Sequence, residues 1–114
     1  MKLKLLVILF ISQWAVFAQN SGNVNGVVID HTLKQPMPYV NVSIFDNDKL
    51  ITGGITKENG SFSIKDIPLK KVKVEIVFIG YKKIIRELNF SENNKSINLN
   101  TIALEEDAIQ LKSV

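Results

Sequence analysis

Along most of this chain apolar side chains recur at every second position, in short runs broken by glycine, proline, asparagine and aspartate. A period of two sends alternate side chains to opposite faces of an extended backbone, so each run predicts a strand with one face available for a core. Val24, Gly26 and Val28 share one face of the first run, with Val27 and Ile29 on the other. From Tyr39 the pattern sets Val40, Val42 and Ile44 against Tyr39, Asn41, Ser43 and Phe45. The most regular run is Val72 to Ile79, where Val72, Val74, Ile76 and Phe78 oppose Lys73, Glu75, Val77 and Ile79. Lys82 to Phe90 also reads as a strand, but Ile84-Ile85 breaks its alternation and leaves the phase open. Within Ser96 to Leu104 the phase passes from Ile97 and Leu99 to Ile102 and Leu104, which predicts a bulge near Asn100-Thr101.

Lys57-Glu58-Asn59-Gly60 is the strongest reversal signal, because Gly60 takes φ > 0 without steric cost and Asn59 tolerates left-handed geometry. It predicts a hairpin joining Lys49 to Thr56 with Ser61 to Lys65. Phe62 and Ile64 then share one face, and a second sheet has to cover them, since a lone hairpin is marginal in water. Asp46-Asn47-Asp48 and Asp66-Ile67-Pro68-Leu69 punctuate other runs, and Pro36 and Pro38 forbid a central strand between His31 and Pro38. No stretch after the first eighteen residues carries a 3.6-residue apolar period. Strands at this regular spacing predict an all-β fold, a seven-stranded antiparallel β-sandwich over residues 19–104.

The first eighteen residues stand apart. A basic start (Lys2, Lys4), a mostly apolar stretch from Leu5 to Phe17, and Ala18 with Val16 before it have the layout of a secretory signal-peptide helix. The apolar stretch is about thirteen residues, short of the roughly 20 that span a bilayer. The formal net charge of +3 owes two lysines to this segment, so the remainder is close to neutral and gives no argument for nucleic acid. With no cysteine in the chain, a lipid anchor on an N-terminal cysteine is excluded and the core must hold without disulfides. The expectation is export to the periplasm or outer membrane of a Gram-negative bacterium. Residues 105–114 open with Glu105-Glu106-Asp107 and alternate like a strand from Ile109 to Val114, which suggests a linker into a region beyond this chain.

Candidate chemistry is sparse. His31 is the only histidine and lacks the further ligands or the nucleophile that a metal or catalytic role needs, so a surface turn is expected. Asp46-Asn47-Asp48 lacks the glycine and closing glutamate of a calcium loop and reads as a hairpin turn. Gly53-Gly54 precedes no helix and is no phosphate cradle, which leaves a bulge or a close backbone approach. Lys70, Lys71, Lys73, Lys82, Lys83 and Arg86 form a basic cluster interrupted by Glu75 and Glu87, suited to discouraging edge-to-edge pairing, with anionic headgroups as the lesser alternative. Asn-x-Ser matches at Asn41, Asn59, Asn89 and Asn94 read as chance in an asparagine-rich chain. No catalytic, cofactor or metal residues are assigned.

Several blocks in order resemble the carboxypeptidase regulatory-like domain: Gly26-Val27-Val28-Ile29-Asp30, Gln35-Pro36-Met37-Pro38 leading into Val40-Asn41-Val42, Gly54-Ile55-Thr56, Asn59-Gly60-Ser61-Phe62-Ser63-Ile64, Ile67-Pro68 and Ile79-Gly80-Tyr81. The resemblance covers roughly residues 23–104 and implies a transthyretin-like seven-stranded sandwich without peptidase chemistry. It marks Gly26, Asp30, Pro38, Val42, Gly54, Thr56, Asn59, Gly60, Phe62, Ile64, Gly80 and Tyr81 as structural signature positions. One departure is Tyr39, where many relatives place glycine after the proline. A signal peptide, this domain and an acidic step into a short strand together resemble the N-terminal extension of TonB-dependent outer-membrane receptors of Bacteroidetes type. The implied role is non-enzymatic protein–protein contact, with an envelope protein or the plug and barrel absent from this chain as partner. The alternatives are a free-standing secreted or surface sandwich that binds carbohydrate or protein, and an accessory domain detached from an enzyme.

Overall fold

The computed structural model describes residues 20–109. Its strands are β1 (Gly22–Asp30), β2 (Asn41–Asp46), β3 (Lys49–Ile55), β4 (Ser61–Ile67), β5 (Lys71–Val77), β6 (Ile84–Asn89) and β7 (Ser96–Leu104). They form two sheets, three-stranded β4-β1-β7 and four-stranded β3-β2-β5-β6. The all-β sandwich expected from the alternation is the fold. Every pairing is antiparallel except β1 with β7, which run parallel. A parallel pair needs a long crossover, and here the chain from β2 to β6 supplies it.

The core lies between the sheets and follows the predicted faces. Val24 and Val28 of β1, Val42 and Ile44 of β2, Phe62 and Ile64 of β4, Val72, Val74 and Ile76 of β5, and Ile102 and Leu104 of β7 are all buried. The open phase of β6 resolves with Ile84 half-buried, Leu88 and Phe90 buried, and Ile85 outside. The bulge in β7 falls where the phase change placed it. Pairing with β1 jumps from Asn25↔Asn98 to Val27↔Thr101, and Asn100 has φ 58.

The hairpin expected across Lys57–Gly60 does not form. The turn itself closes, with Gly60 N–H donated to Lys57 C=O at 2.8 Å and Gly60 at φ 81. Beyond it the strands part, β3 pairing with β2 and β4 with β1. The Gly60 carbonyl accepts the Val28 N–H at 2.8 Å, which delivers β4 alongside β1. A Cβ on Gly54 would stand 2.9 Å from Ile64 Cδ1, so β3 passes close over β4 from the opposite layer. With the crossing made, Phe62 and Ile64 of β4 are buried in the core between the sheets.

Several boundaries also move. β2 begins at Asn41 and not at Tyr39, whose φ of 63 is left-handed, and β5 ends at Val77, so Ile79 is not on a strand. The expected signal peptide lies outside the described residues, as does the tail beyond Ile109. Ala108 and Ile109 are in a helical turn and not extended, with Ile109 N–H donated to Asp107 Oδ1 at 3.1 Å.

Candidate interaction surface

Residues 31–40, 56–60, 78–83 and 105–109 meet at one end of the sandwich. Met37 N–H reaches Val28 C=O, Tyr39 N–H reaches Thr56 C=O, His31 N–H reaches Leu104 C=O, and Lys82 N–H reaches Glu105 C=O. Two signature residues buried beneath these segments hold them in place. Asp30 and Tyr81, 51 residues apart in sequence, are joined by the tyrosine hydroxyl donating to Asp30 Oδ2 at 2.6 Å. Asp30 Oδ1 accepts the N–H groups of Thr32 and Leu33, both at 2.8 Å, so one carboxylate shapes the 31–34 turn and anchors the 78–83 turn. The Tyr81 hydrogen bond first, then the Leu33 and Thr32 amides and the charge of His31, hold the Asp30 carboxyl below the usual range, although burial pushes the other way. The same hydrogen bond, with burial and the charges of Asp30 and Glu106, pushes the Tyr81 phenol up to about 12.

Thr56 is the second anchor, 1% exposed. Its Oγ1 accepts from Val40 N–H at 2.9 Å and donates to Met37 C=O at 2.6 Å, while its own backbone pairs with Tyr39 and Val40. This cross-bracing fixes the turn at Pro38-Tyr39. Proline followed by a residue of positive φ is the arrangement of a type II turn, a position that favours glycine and that this chain fills with Tyr39. A second turn of this kind spans Phe78 to Tyr81, with Tyr81 N–H on Phe78 C=O at 3.1 Å and Gly80 at φ 84. Phe78 and Tyr81 meet edge to face, ring centroids 5.8 Å apart, and Ile79 is left at the apex.

Among the described residues, the exposed large hydrophobic ones are Leu33, Tyr39, Leu50, Ile55, Ile79, Ile85 and Ile109. All but Leu50 and Ile85 belong to this end. Ile55 closes β3 opposite Asn41, and Asn41 pairs in turn with Val77. Tyr39 precedes Asn41 and Ile79 follows Val77 at this end of the sheet, and Ile79 is 88% exposed. The rim is charged but largely balanced, with Lys82 Nζ 3.5 Å and His31 Nε2 3.9 Å from Glu105. Apolar side chains exposed at one end beside charged neighbours suit that end to protein contact.

The other signature positions are scaffold. Val42 is core and Gly54 allows the close approach of β3 to β4. Gly26 faces the Phe62 ring, and Asn59 Oδ1 accepts from Ser61 N–H at 3.0 Å and Ser61 Oγ at 2.6 Å. His31 is a half-exposed turn residue, and among the described residues no group of three or more His, Asp or Glu gathers to hold a metal. The lysine cluster is mostly ion-paired, Lys70 with Asp46 at 2.7 Å, Lys71 with Glu87 at 3.2 Å, and Lys73 and Lys83 each with Glu75 at 3.9 Å. The alternation of apolar and polar positions does not mark Tyr39, Ile79 or Leu33 as surface features. The signal available for Ile79 was its place before a glycine in a turn.

A family model described as a CarboxypepD_reg-like domain matches residues 24–114. The chain belongs to this family. A search of the curated proteins returned no match. Among solved structures, this CarboxypepD_reg-like domain is similar to BcpA, the major pilin subunit of Bacillus cereus, with TM-score 0.65 and 20% identity over 76% of this chain and 30% of the pilin. It is also similar to the Bacillus anthracis TIE protein, with TM-score 0.62 and 19% identity over 75% of this chain and 17% of that one. The shaft pilin spaA of Lactobacillus rhamnosus GG matches with TM-score 0.54 and 11% identity, over 79% of this chain and 49% of the pilin. The chain thus spans less than half of each of these proteins. At such identities the likeness is one of fold.

Proposed function

We propose that this CarboxypepD_reg-like domain is a non-catalytic module exported to the cell envelope, where it works by protein–protein contact as the N-terminal extension of a TonB-dependent outer-membrane receptor. The observation that carries the contact role is the gathering of Leu33, Tyr39, Ile55, Ile79 and Ile109 at one end of the sandwich, whose turns are braced by Asp30, Tyr81 and Thr56. Locked turns lose little conformational entropy on binding, so exposed apolar side chains there bind at low ordering cost. The signal-peptide pattern of residues 1–18 supports export, and family membership together with the acidic step at Glu105-Glu106-Asp107 supports the receptor setting.

The setting is tested by reading the gene past Val114 and by fractionating the cells that make the protein. Plug and barrel sequence in frame, with the product in the outer-membrane fraction, is the expected result. A stop codon with the product free in the medium overturns the receptor reading in favour of a free-standing secreted sandwich. Hydrolytic activity of the purified protein that vanishes in His31→Ala overturns the non-catalytic role.

A further inference from the structure

The opposite end of the sandwich carries a feature that the contact role leaves unused. Beside the β2–β3 turn an open concavity of about 530 Å3 is lined by Phe45, Asp46, Asp48, Lys70, Lys73 and Glu87, among others. Its volume falls within the roughly 300–1,000 Å3 of small-ligand sites. We propose that this concavity binds a neutral oligosaccharide.

Three properties of the lining select that ligand class. The first is charge. Lys70 is paired with Asp46 at 2.7 Å, Lys71 with Glu87 at 3.2 Å, and Lys73 with Glu75 at 3.9 Å. An anion entering here has to displace an existing partner of these lysines, whereas a neutral ligand does not. The second is hydrogen-bonding capacity. The single Lys70–Asp46 bond leaves ammonium hydrogens and carboxylate lone pairs unused, and Asp48 adds acceptors at the rim. A sugar hydroxyl donates and accepts at once, so a vicinal diol can bridge such a pair and satisfy both ends. The third is the apolar platform. Phe45 is half-buried, lines the concavity and stands in register with Lys73 of β5. Lys73 Nζ lies 5.9 Å from the Phe45 ring centroid, which lays the lysine stem along the same strip. The apolar face of a pyranose stacks on such a strip while its hydroxyl edge meets the ion pairs.

The inference stands apart from the contact surface, which lies at the other end. The test is a titration of the full chain with maltohexaose and cellohexaose as neutral probes, and with oligogalacturonate and a short acidic peptide as charged ones, followed by amide chemical shifts. The expected result is shifts confined to residues 45–48 and 70–73 with at least one neutral glucan at millimolar concentration. Phe45→Ala should abolish them. Lys70→Met alters a half-exposed side chain without touching the core, so it serves where Phe45→Ala unfolds, and should weaken binding about tenfold, the equivalent of one lost hydrogen bond to a charged group. Shifts elsewhere, no shifts with either glucan, binding only of the charged probes, or undiminished binding in a folded Lys70→Met variant each overturn the proposal.

Discussion

Gly26 and Phe62 are direct partners across the β1–β4 ladder, and the phenylalanine ring lies over the glycine. A Cβ placed on Gly26 would stand 2.7 Å from Cζ and 2.8 Å from Cε1 of that ring, against the ~3.5–4.0 Å that carbon atoms prefer. Phe62 is 4% exposed, so the ring has little room to withdraw. Gly26→Ala alone should therefore cost about 1–3 kcal/mol through overpacking. Phe62→Ala alone should cost about 3–5 kcal/mol through lost burial and the cavity left behind. In combination the new methyl enters the space the ring vacated, and alanine is preferred to glycine in a strand by ~0.5–1 kcal/mol. The Asn100 carbonyl, 3.3 Å from the added carbon, still resists it. The pair should thus be less destabilised than the sum of its parts by about 2 kcal/mol. Urea unfolding followed by circular dichroism measures all four corners of the cycle, with Phe62→Leu as a milder version if Phe62→Ala leaves too little native baseline. Additivity within ~0.5 kcal/mol would refute the close packing of β4 on β1.

Thr56→Val keeps the shape of the side chain and removes the hydroxyl that serves Val40 N–H and Met37 C=O; it should cost about 2 kcal/mol or more, measured by the same unfolding, with Thr56→Ser close to wild type. Tyr39→Gly relieves a left-handed backbone at an exposed site and should stabilise by about 1 kcal/mol, and a loss of that size would contradict the turn assignment. Gly60→Val forces a β-branched residue to φ 81 and drives its Cβ onto the Val28 carbonyl, so the cooperative melt should move down sharply or vanish. The Asp30–Tyr81 pair predicts two pH limbs. Asp30 is lowered from 3.8, so its stabilisation is complete above that value and disappears as the pH falls through the depressed folded one. Tyr81 is raised from 10.0 to about 12, so its stabilisation is complete below pH 10 and disappears between 10 and about 12. Melting temperatures across both ranges should show the alkaline limb lost and the acid limb shallower in Tyr81→Phe; unchanged profiles would contradict the hydrogen bond.

The faces of the strands were legible because a period of two is a direct consequence of extended backbone, and the phase change in β7 marked its bulge for the same reason. Sheet membership was not. Lys57–Gly60 carries the same turn chemistry whether the chain folds back in plane or crosses to the other layer, and the choice is made by Val28 donating to the Gly60 carbonyl from far along the sequence. The family resemblance marked Asp30, Thr56 and Tyr81 without giving them work. Their roles depend on contacts across the interior, as between Asp30 and Tyr81, which no local pattern encodes. Ile79 illustrates the converse error. It continues the alternation of Val72 to Ile79, yet Gly80 at φ 84 turns the chain and leaves it in solvent.

The central claim is that the end bearing Ile79 meets another protein. Its most direct test is a photo-crosslinking residue placed at Ile79 and, separately, at Asn47 on the turn of the opposite end, in cells that export the protein. The account predicts a discrete adduct with a second envelope protein from position 79, and none with that protein from position 47. Equal adducts from both positions, or none from position 79 while the protein is folded and exported, would contradict it.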